Sequence, residues 1–297
     1  MKIRVGYGFG VRTPLNDGRF GEVVDALEDL RWDSLWLSER IGGDAPDPLV
    51  AMSFAAGRTR KLKFGMSVMV LPGRNPIVLA KELATLDRMS NGRLLPAFGL
   101  GVADPQEQQA FGVAREDRAK IFDEALAVLR KCWRDDVVDH EGRFFHYSGL
   151  RVQPKPLQQH IDVWLGGIAP SELKRVGRLS DGWLPSFILP DEAGAGRETV
   201  EAVAAEHGRT MDPEHYGALI AYSMGPIPDA ILAGLAKRRP DVDPRAFVPV
   251  GLDAVAERIQ AFTEVGFSKF VVVPLVEPTG FTDHLAEAAA ALLPLQT

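Results

Sequence analysis

An eight-unit (β/α)₈ barrel, an α/β fold with a parallel sheet, is what the sequence predicts. Three observations carry this. Short apolar runs alternate with longer segments of helical period about eight times along 297 residues. That alternation implies parallel strands with helices packed outside them. No linker composition interrupts it, so residues 1–297 read as a single domain. Finally, Gly6, Gly8 and Gly10 follow one another as G-x-G-x-G, the wrong spacing for the dinucleotide turn of a doubly wound sheet.

The elements can be justified in order. Residues 3–9 (IRVGYGF) form the first strand, and 20–31 a helix with Val23, Val24, Leu27 and Leu30 on one side. Residues 34–37 (SLWL) are the second strand, followed by a helix near 48–57. The third strand spans 63–70, and Asn75-Pro76 opens the next helix with Asn as N-cap and Pro at the first helical position. Leu79, Leu83 and Leu86 are its apolar stripe, and Asn91-Gly92 end it. Residues 94–98 are the fourth strand, against which Pro96 argues because it lacks a donor. A helix at 117–133, a fifth strand at 162–165, a helix at 171–179, a sixth strand at 182–184 and a helix at 192–207 follow. Strand seven is 216–223 and strand eight 269–275, flanked by helices at 253–265 and 281–293. Two segments exceed what a barrel needs, 134–160 and 224–250, and are expected to be excursions over one face.

Composition narrows the function. The balance of 34 basic and 40 acidic residues gives a net charge of −6, and no basic run offers a surface for nucleic acid or anionic membrane. The N-terminus lacks the apolar core of a signal peptide, and no stretch reaches the length of a membrane span. Cys132 is the only cysteine, which excludes an intrachain disulfide and suits a reducing compartment. A soluble cytoplasmic protein is the expectation.

In a barrel of this kind the active site lies at the C-terminal strand ends. Gly166-Gly167-Ile168-Ala169-Pro170 joins strand five to a helix starting at Pro170. Free amides at a helix N-terminus beside small residues can cradle a phosphate, although tight turns also use glycine. Glu39-Arg40 is the only adjacent acid–base pair at a strand end: either a ligand contact and an anion or charge stabiliser, or a surface salt bridge. Ser67, alone among apolar neighbours in Met66-Ser67-Val68-Met69, is either a satisfied core hydroxyl or a group facing a ligand. Tyr7, Phe9, Trp36 and Arg40, with loops at 103–112 and 187–195, are the expected substrate pocket, though the aromatics can equally pack the barrel. The six histidines show no H-E-x-x-H or Cys/His spacing, so no metal is expected. Nor is there a G-x-S-x-G elbow, which leaves a bound organic cofactor as the source of chemistry.

A series of short motifs in fixed order resembles the luciferase-like flavin and deazaflavin enzymes over nearly the whole chain. They are Trp32-Asp33-Ser34-Leu35-Trp36-Leu37-Ser38-Glu39, the run 84–93 (ATLDRMSNGR), Phe98-Gly99-Leu100-Gly101, Gln153-Pro154-Lys155-Pro156, Trp164-Leu165-Gly166-Gly167, 177–183 (GRLSDGW) and Val265-Gly266-Phe267. The resemblance implies a (β/α)₈ barrel, often dimeric. In the coenzyme F420-dependent branch it implies a bulge with a non-proline cis peptide at the end of strand three, backing the deazaflavin ring, and Ser67-Val68 fall on it. It further implies that Glu39 contacts the ring, that Gly101 and Val102 run along the cofactor, and that Gly166, Gly167, Ile168 and Ala169 hold its phosphate.

Two departures matter. Where the F420-dependent sugar-phosphate dehydrogenases place a catalytic histidine and a glutamate, this chain has Arg40 and Val102. Arginine stays charged and is a poor base, so it suits polarising a carbonyl or enone during reduction by F420H₂. The expectation is an F420-dependent oxidoreductase moving hydride between the deazaflavin C5 and a small organic substrate, with Arg40 catalytic. The alternatives are an FMN-dependent monooxygenase fed by a partner reductase, or a non-catalytic flavin- or deazaflavin-binding protein. A homodimer is expected, and no nucleic-acid or membrane partner.

Overall fold

The structure, a computed structural model, describes residues 1–13, 15 and 18–297. Strand β1 (Arg4–Phe9) leads to helix α1 (Arg19–Asp29), β2 (Ser34–Leu37) and α2 (Pro48–Arg58). The third barrel strand comes in two pieces, β3 (Lys63–Met66) and β4 (Met69–Val70), before α3 (Pro76–Met89). The fourth is also in two, β5 (Leu94–Leu95) and β6 (Ala97–Gly99), followed by α4 (Pro105–Phe111) and α5 (Arg118–Arg134). A hairpin, β7 (Val138–Glu141) with β8 (His146–Leu150), precedes β9 (Trp164–Leu165), α6 (Pro170–Leu179), β10 (Gly182–Trp183) and α7 (Pro190–Glu206). Then come β11 (Gly217–Tyr222), α8 (Asp229–Arg238), α9 (Leu252–Glu264), β12 (Lys269–Pro274) and α10 (Phe281–Leu292).

The strands pair in the orders β11-β12-β1-β2-β3-β5 and β10-β9-β6-β4. These are two parts of one cylinder. Chain continuity joins β3 to β4 and β5 to β6, while parallel bridges Trp183–Tyr216 and Ser186–Leu219 join β10 to β11. The fold is the (β/α)₈ barrel that the alternation predicts. Its interior is filled by Trp36, Ala97, Trp164, Leu184, Val271 and Val273. Glycines make room for the two indoles: a Cβ on Gly65 would lie 2.7 Å from Trp36, and one on Gly182 would strike Trp164.

Several expectations need correction. Strands three and four are not continuous over 63–70 and 94–98. Strand three breaks at Ser67-Val68, whose peptide bond is cis, as the resemblance implied. Strand four breaks at Pro96, which has no donor but accepts from the Trp164 amide at 2.9 Å. Tyr7 and Phe9 do not line the mouth. With Gly6 and Gly8 facing the interior, the strand period of two turns them outward, where Tyr7 packs on Trp32 and Phe9 on Phe281. Trp36 does face inward but is fully buried. The loop at 103–112 is largely α4, capped by Asp104, which accepts from Gln106 N at 2.9 Å. Its Gln-Glu-Gln-Gln run shows no apolar stripe, so periodicity missed it. The 187–195 segment likewise already contains the first turns of α7.

Most of the family-like run 84–93 serves the fold. Asp87, fully buried, accepts from the amides of Leu157 (2.7 Å) and Gln158 (2.9 Å) and from the Gln158 side chain (2.7 Å), holding the 151–160 segment against α3. Arg93 donates to the carbonyls of Ala56, Thr59, Leu62 and Ser90 and to Thr59 Oγ1, closing the carboxyl ends of α2 and α3 together. At the amino-terminal end of the barrel, Asp33 pairs with Lys269 at 2.9 Å and Lys63 at 2.8 Å, and accepts from Ser34 Oγ. Burial pushes the Asp33 carboxyl up, but Lys269 and Lys63 outweigh it and hold it well below the usual carboxylate range.

Arg93→Met should lower unfolding free energy by about 3 kcal/mol, because it strands several buried carbonyls; urea denaturation measures it. Asp33 is depressed in the folded state, so its contribution is complete above the ordinary aspartate range near pH 4 and is lost as pH falls. Asp33→Asn should therefore be less stable than wild type at pH 7 but lose stability less steeply on acidification, read as thermal midpoint against pH.

Candidate functional site

The carboxyl ends of strands two to five form one side of the barrel mouth, and the break in strand three sets their geometry. Ser67 N still donates to Leu37 O at 2.8 Å, but beyond that point strand two has ended. Glu39 takes over. Its amide reaches Val68 O at 3.4 Å, and its Oε2 accepts from Val70 N at 2.6 Å. The other carboxylate oxygen pairs with Arg74, whose Nε donates to Val70 O at 2.9 Å. Burial pushes the Glu39 carboxyl up, against the pull of Arg74 and the Val70 amide. Both oxygens are thus engaged within the protein.

Val68 is the centre of this side. Gly99, with no side chain, lets the Val68 methyls lie against strand four; a Cβ there would sit 2.5 Å from one of them. Gly166 of strand five lies beside it: a Cβ there would sit 3.8 Å from a Val68 methyl, an ordinary contact. Ser67 is half-buried, and its hydroxyl lies 3.4 Å from that of Ser38. Gly101 adopts φ +78° and lies against Val70, while Val102 is 42% exposed. The Arg118 guanidinium holds the carbonyls of both, at 3.0 Å each. Val70, Pro72, Val102, Glu107, Phe111 and Arg118 help to line a narrow cleft here, with room of about 10 Å³, that of a single water.

Arg40 points at α4. Its Nη2 lies 3.2 Å from Asp104 and its Nε 3.8 Å from Glu107, so the side chain ties the end of β2 to α4. The structure therefore gathers Glu39, Arg40, Ser67, Val68, Gly101, Val102 and Gly166 around one face of the mouth. The strand-five loop is different in kind. Gly167 (φ +98°) turns the chain ahead of α6, and the amides of Ile168 and Ala169 both donate to Glu172 Oε2 at 2.9 Å. Of the four residues expected to hold a phosphate, Ile168 and Ala169 thus have their amides already engaged by a carboxylate.

Tested against a flavin or deazaflavin, the ring end fits: Val68 and the glycines at 99, 101 and 166 are half-exposed and put no bulky or charged side chain there. The phosphate end fits poorly in this arrangement, because Glu172 takes the amides of Ile168 and Ala169. Sequence reasoning missed Arg74, Arg118 and Glu172. Only Glu172 left a local signal, an acid three residues past an N-cap position, as in a capping box. Away from the mouth, His160, Asp162 and Asp181 bring ligand atoms within 4.8 Å of one another. Asp181 there is committed to Arg130 and the Val163 amide, which makes it a structural acid. Among the described residues no helix is long and apolar enough to cross a membrane.

Comparison with known proteins finds relatives in sequence and in fold. The chain is 28% identical over 229 residues to a putative coenzyme F420-dependent oxidoreductase of Mycobacterium tuberculosis, covering 73% of this chain and 63% of that protein. It spans a little under two thirds of the first curated relatives it matches. An F420-dependent secondary alcohol dehydrogenase bound to an F420–acetone adduct superposes with a TM-score of 0.82 at 20% identity, over 100% of both chains. The oxygenating constituent of 3,6-diketocamphane monooxygenase from Pseudomonas putida, with FMN, superposes at 0.78 and 18% identity, over 100% of this chain and 99% of that one. At such identities the structural likeness establishes the barrel. The sequence model of the luciferase-like monooxygenases, however, matches residues 12–264, which contain β2 to β11 and so the ends of strands two to five just described. The chain belongs to the luciferase-like monooxygenase family.

Proposed function

We propose that this protein is an F420-dependent oxidoreductase that reduces a small organic substrate with hydride from the deazaflavin C5. The observation that carries the reading is half-exposed Val68, which stands at the mouth seated against Gly99 of strand four and beside half-exposed Gly166 of strand five, a small apolar wall for a flat ring. The M. tuberculosis relative named for F420 supports the choice of cofactor. When bound, reduced F420 supplies the hydride. The protein's own residues do the rest. Val68 and the glycines support one face of the ring system, and the Val70–Phe111–Arg118 cleft borders the strand-four side.

Glu39 acts through the backbone in this reading, fixing the Val70 amide and thereby the level at which Val68 stands. Arg40 provides fixed positive charge beside the mouth. Its side chain remains 37% exposed, with Asp104 on one edge, leaving N–H groups for a carbonyl oxygen that gains charge as hydride arrives. Exposed Val50 and Phe54 on α2 and Val78 on α3 support a homodimer through that outer face.

Equilibrium binding of F420 and FMN to the purified protein, side by side, tests the cofactor assignment. Tighter F420 binding is expected. Preference for FMN would instead make the protein a monooxygenase dependent on a partner reductase, the activity class of the P. putida neighbour. Arg40→Met should lower turnover with F420H₂ by about tenfold or more while leaving F420 affinity within about twofold, because the charge acts on the substrate. An unchanged turnover would restrict Arg40 to holding α4.

A further inference from the structure

The loop suited to a phosphate is satisfied from within the chain. Ile168 and Ala169 donate their amides to the same oxygen of Glu172, at 2.9 Å each, and so spend the positive end of α6 on an internal charge. The fit is close: a Cβ on Gly167 would lie 2.7 Å from the Glu172 carboxyl group. Trp183 Nε1 holds Gly167 O at 2.9 Å, which anchors the loop in this position. Two basic residues stand at the carboxyl end of α8. Arg239 is committed to Glu192 and to Phe187 O, whereas Arg238 lies over the Phe187 ring at 4.7 Å, where it feels the Glu172 charge.

We infer that Glu172 is an internal anion that competes with a cofactor phosphate for the Ile168 and Ala169 amides, so that this protein gains little affinity from the phosphate. The inference rests on the flavin or deazaflavin reading of the mouth. One pair of amides serves one anion. For a phosphate to enter, the carboxylate must leave, because two like charges in contact repel and only one can be hydrogen-bonded there.

The first test needs no cofactor. Amide resonances of Ile168 and Ala169 are followed while ¹⁵N-labelled protein is titrated with inorganic phosphate. In Glu172→Ala the response should saturate at about tenfold lower phosphate than in wild type, with Glu172→Gln, which keeps an acceptor but no charge, in between. Equal responses in all three proteins, or none in the variants, would overturn the inference. The second test compares F420 with its phosphate-free deazaflavin riboside, and FMN with riboflavin. Glu172→Ala should tighten only the phosphorylated member of a pair; equal gains for both members, or no gain, would overturn it. If no flavin or deazaflavin binds wild type or variant, the cofactor reading falls, and the phosphate titration alone decides the competition.

Discussion

A buried carboxylate standing in for a strand carbonyl is the interaction on which the barrel mouth depends. In a parallel sheet each residue's amide and carbonyl point to one neighbouring strand, and successive residues alternate between the two neighbours. Once strand three breaks at Ser67-Val68, β4 stays in register with β6, Met69 opposite Phe98 and Val70 opposite Gly99. Its other edge has lost strand two, which ends at Leu37. Val70 N–H on that edge would be a buried donor without a partner, and Glu39 Oε2 supplies one. Arg74 then neutralises the carboxylate that this substitution buries. Val68, Gly99 and Gly166 take their relative heights from this arrangement.

The same device recurs around the mouth. Glu172 satisfies the amides ahead of α6, and Glu192 satisfies Leu189 ahead of α7 while pairing with Arg239. Strand ends in a barrel stop at the surface of the cavity they create, leaving amides that water, ligand or side chain must satisfy. This chain answers largely with its own acids. The amides of Ile168, Ala169 and Leu189 are therefore donors already in use.

The opposite end carries stability. Asp33 with Lys269 and Lys63 joins β2, β3 and β12, while Arg93 and Asp87 fasten helices and the 151–160 segment to the cylinder. Much of what makes the sequence look like its family lies here. Runs such as 84–93 mark the fold, and the chemistry is decided by fewer residues at the other end. That division follows from barrel geometry, in which one rim holds the structure together and the other is free to vary.

The alternation of apolar runs and helical segments was enough to determine the barrel, because periods of 2 and 3.6 are local properties of the chain. Asn75-Pro76 and Asn91-Gly92 marked the bounds of α3 for the same local reason, and Ser67-Val68 carried a family signature. Tertiary structure alone decided which way Tyr7 and Phe9 face, since a strand's two sides are alike until Gly6 and Gly8 are seen to admit Trp36 and Val271. It also decided the partners of Glu39, Arg40 and the Ile168–Ala169 amides. Arg74 lies 35 residues from Glu39 and Asp104 lies 64 from Arg40. Pairings over such separations depend on how strand ends are stacked around the cylinder, which no local pattern records.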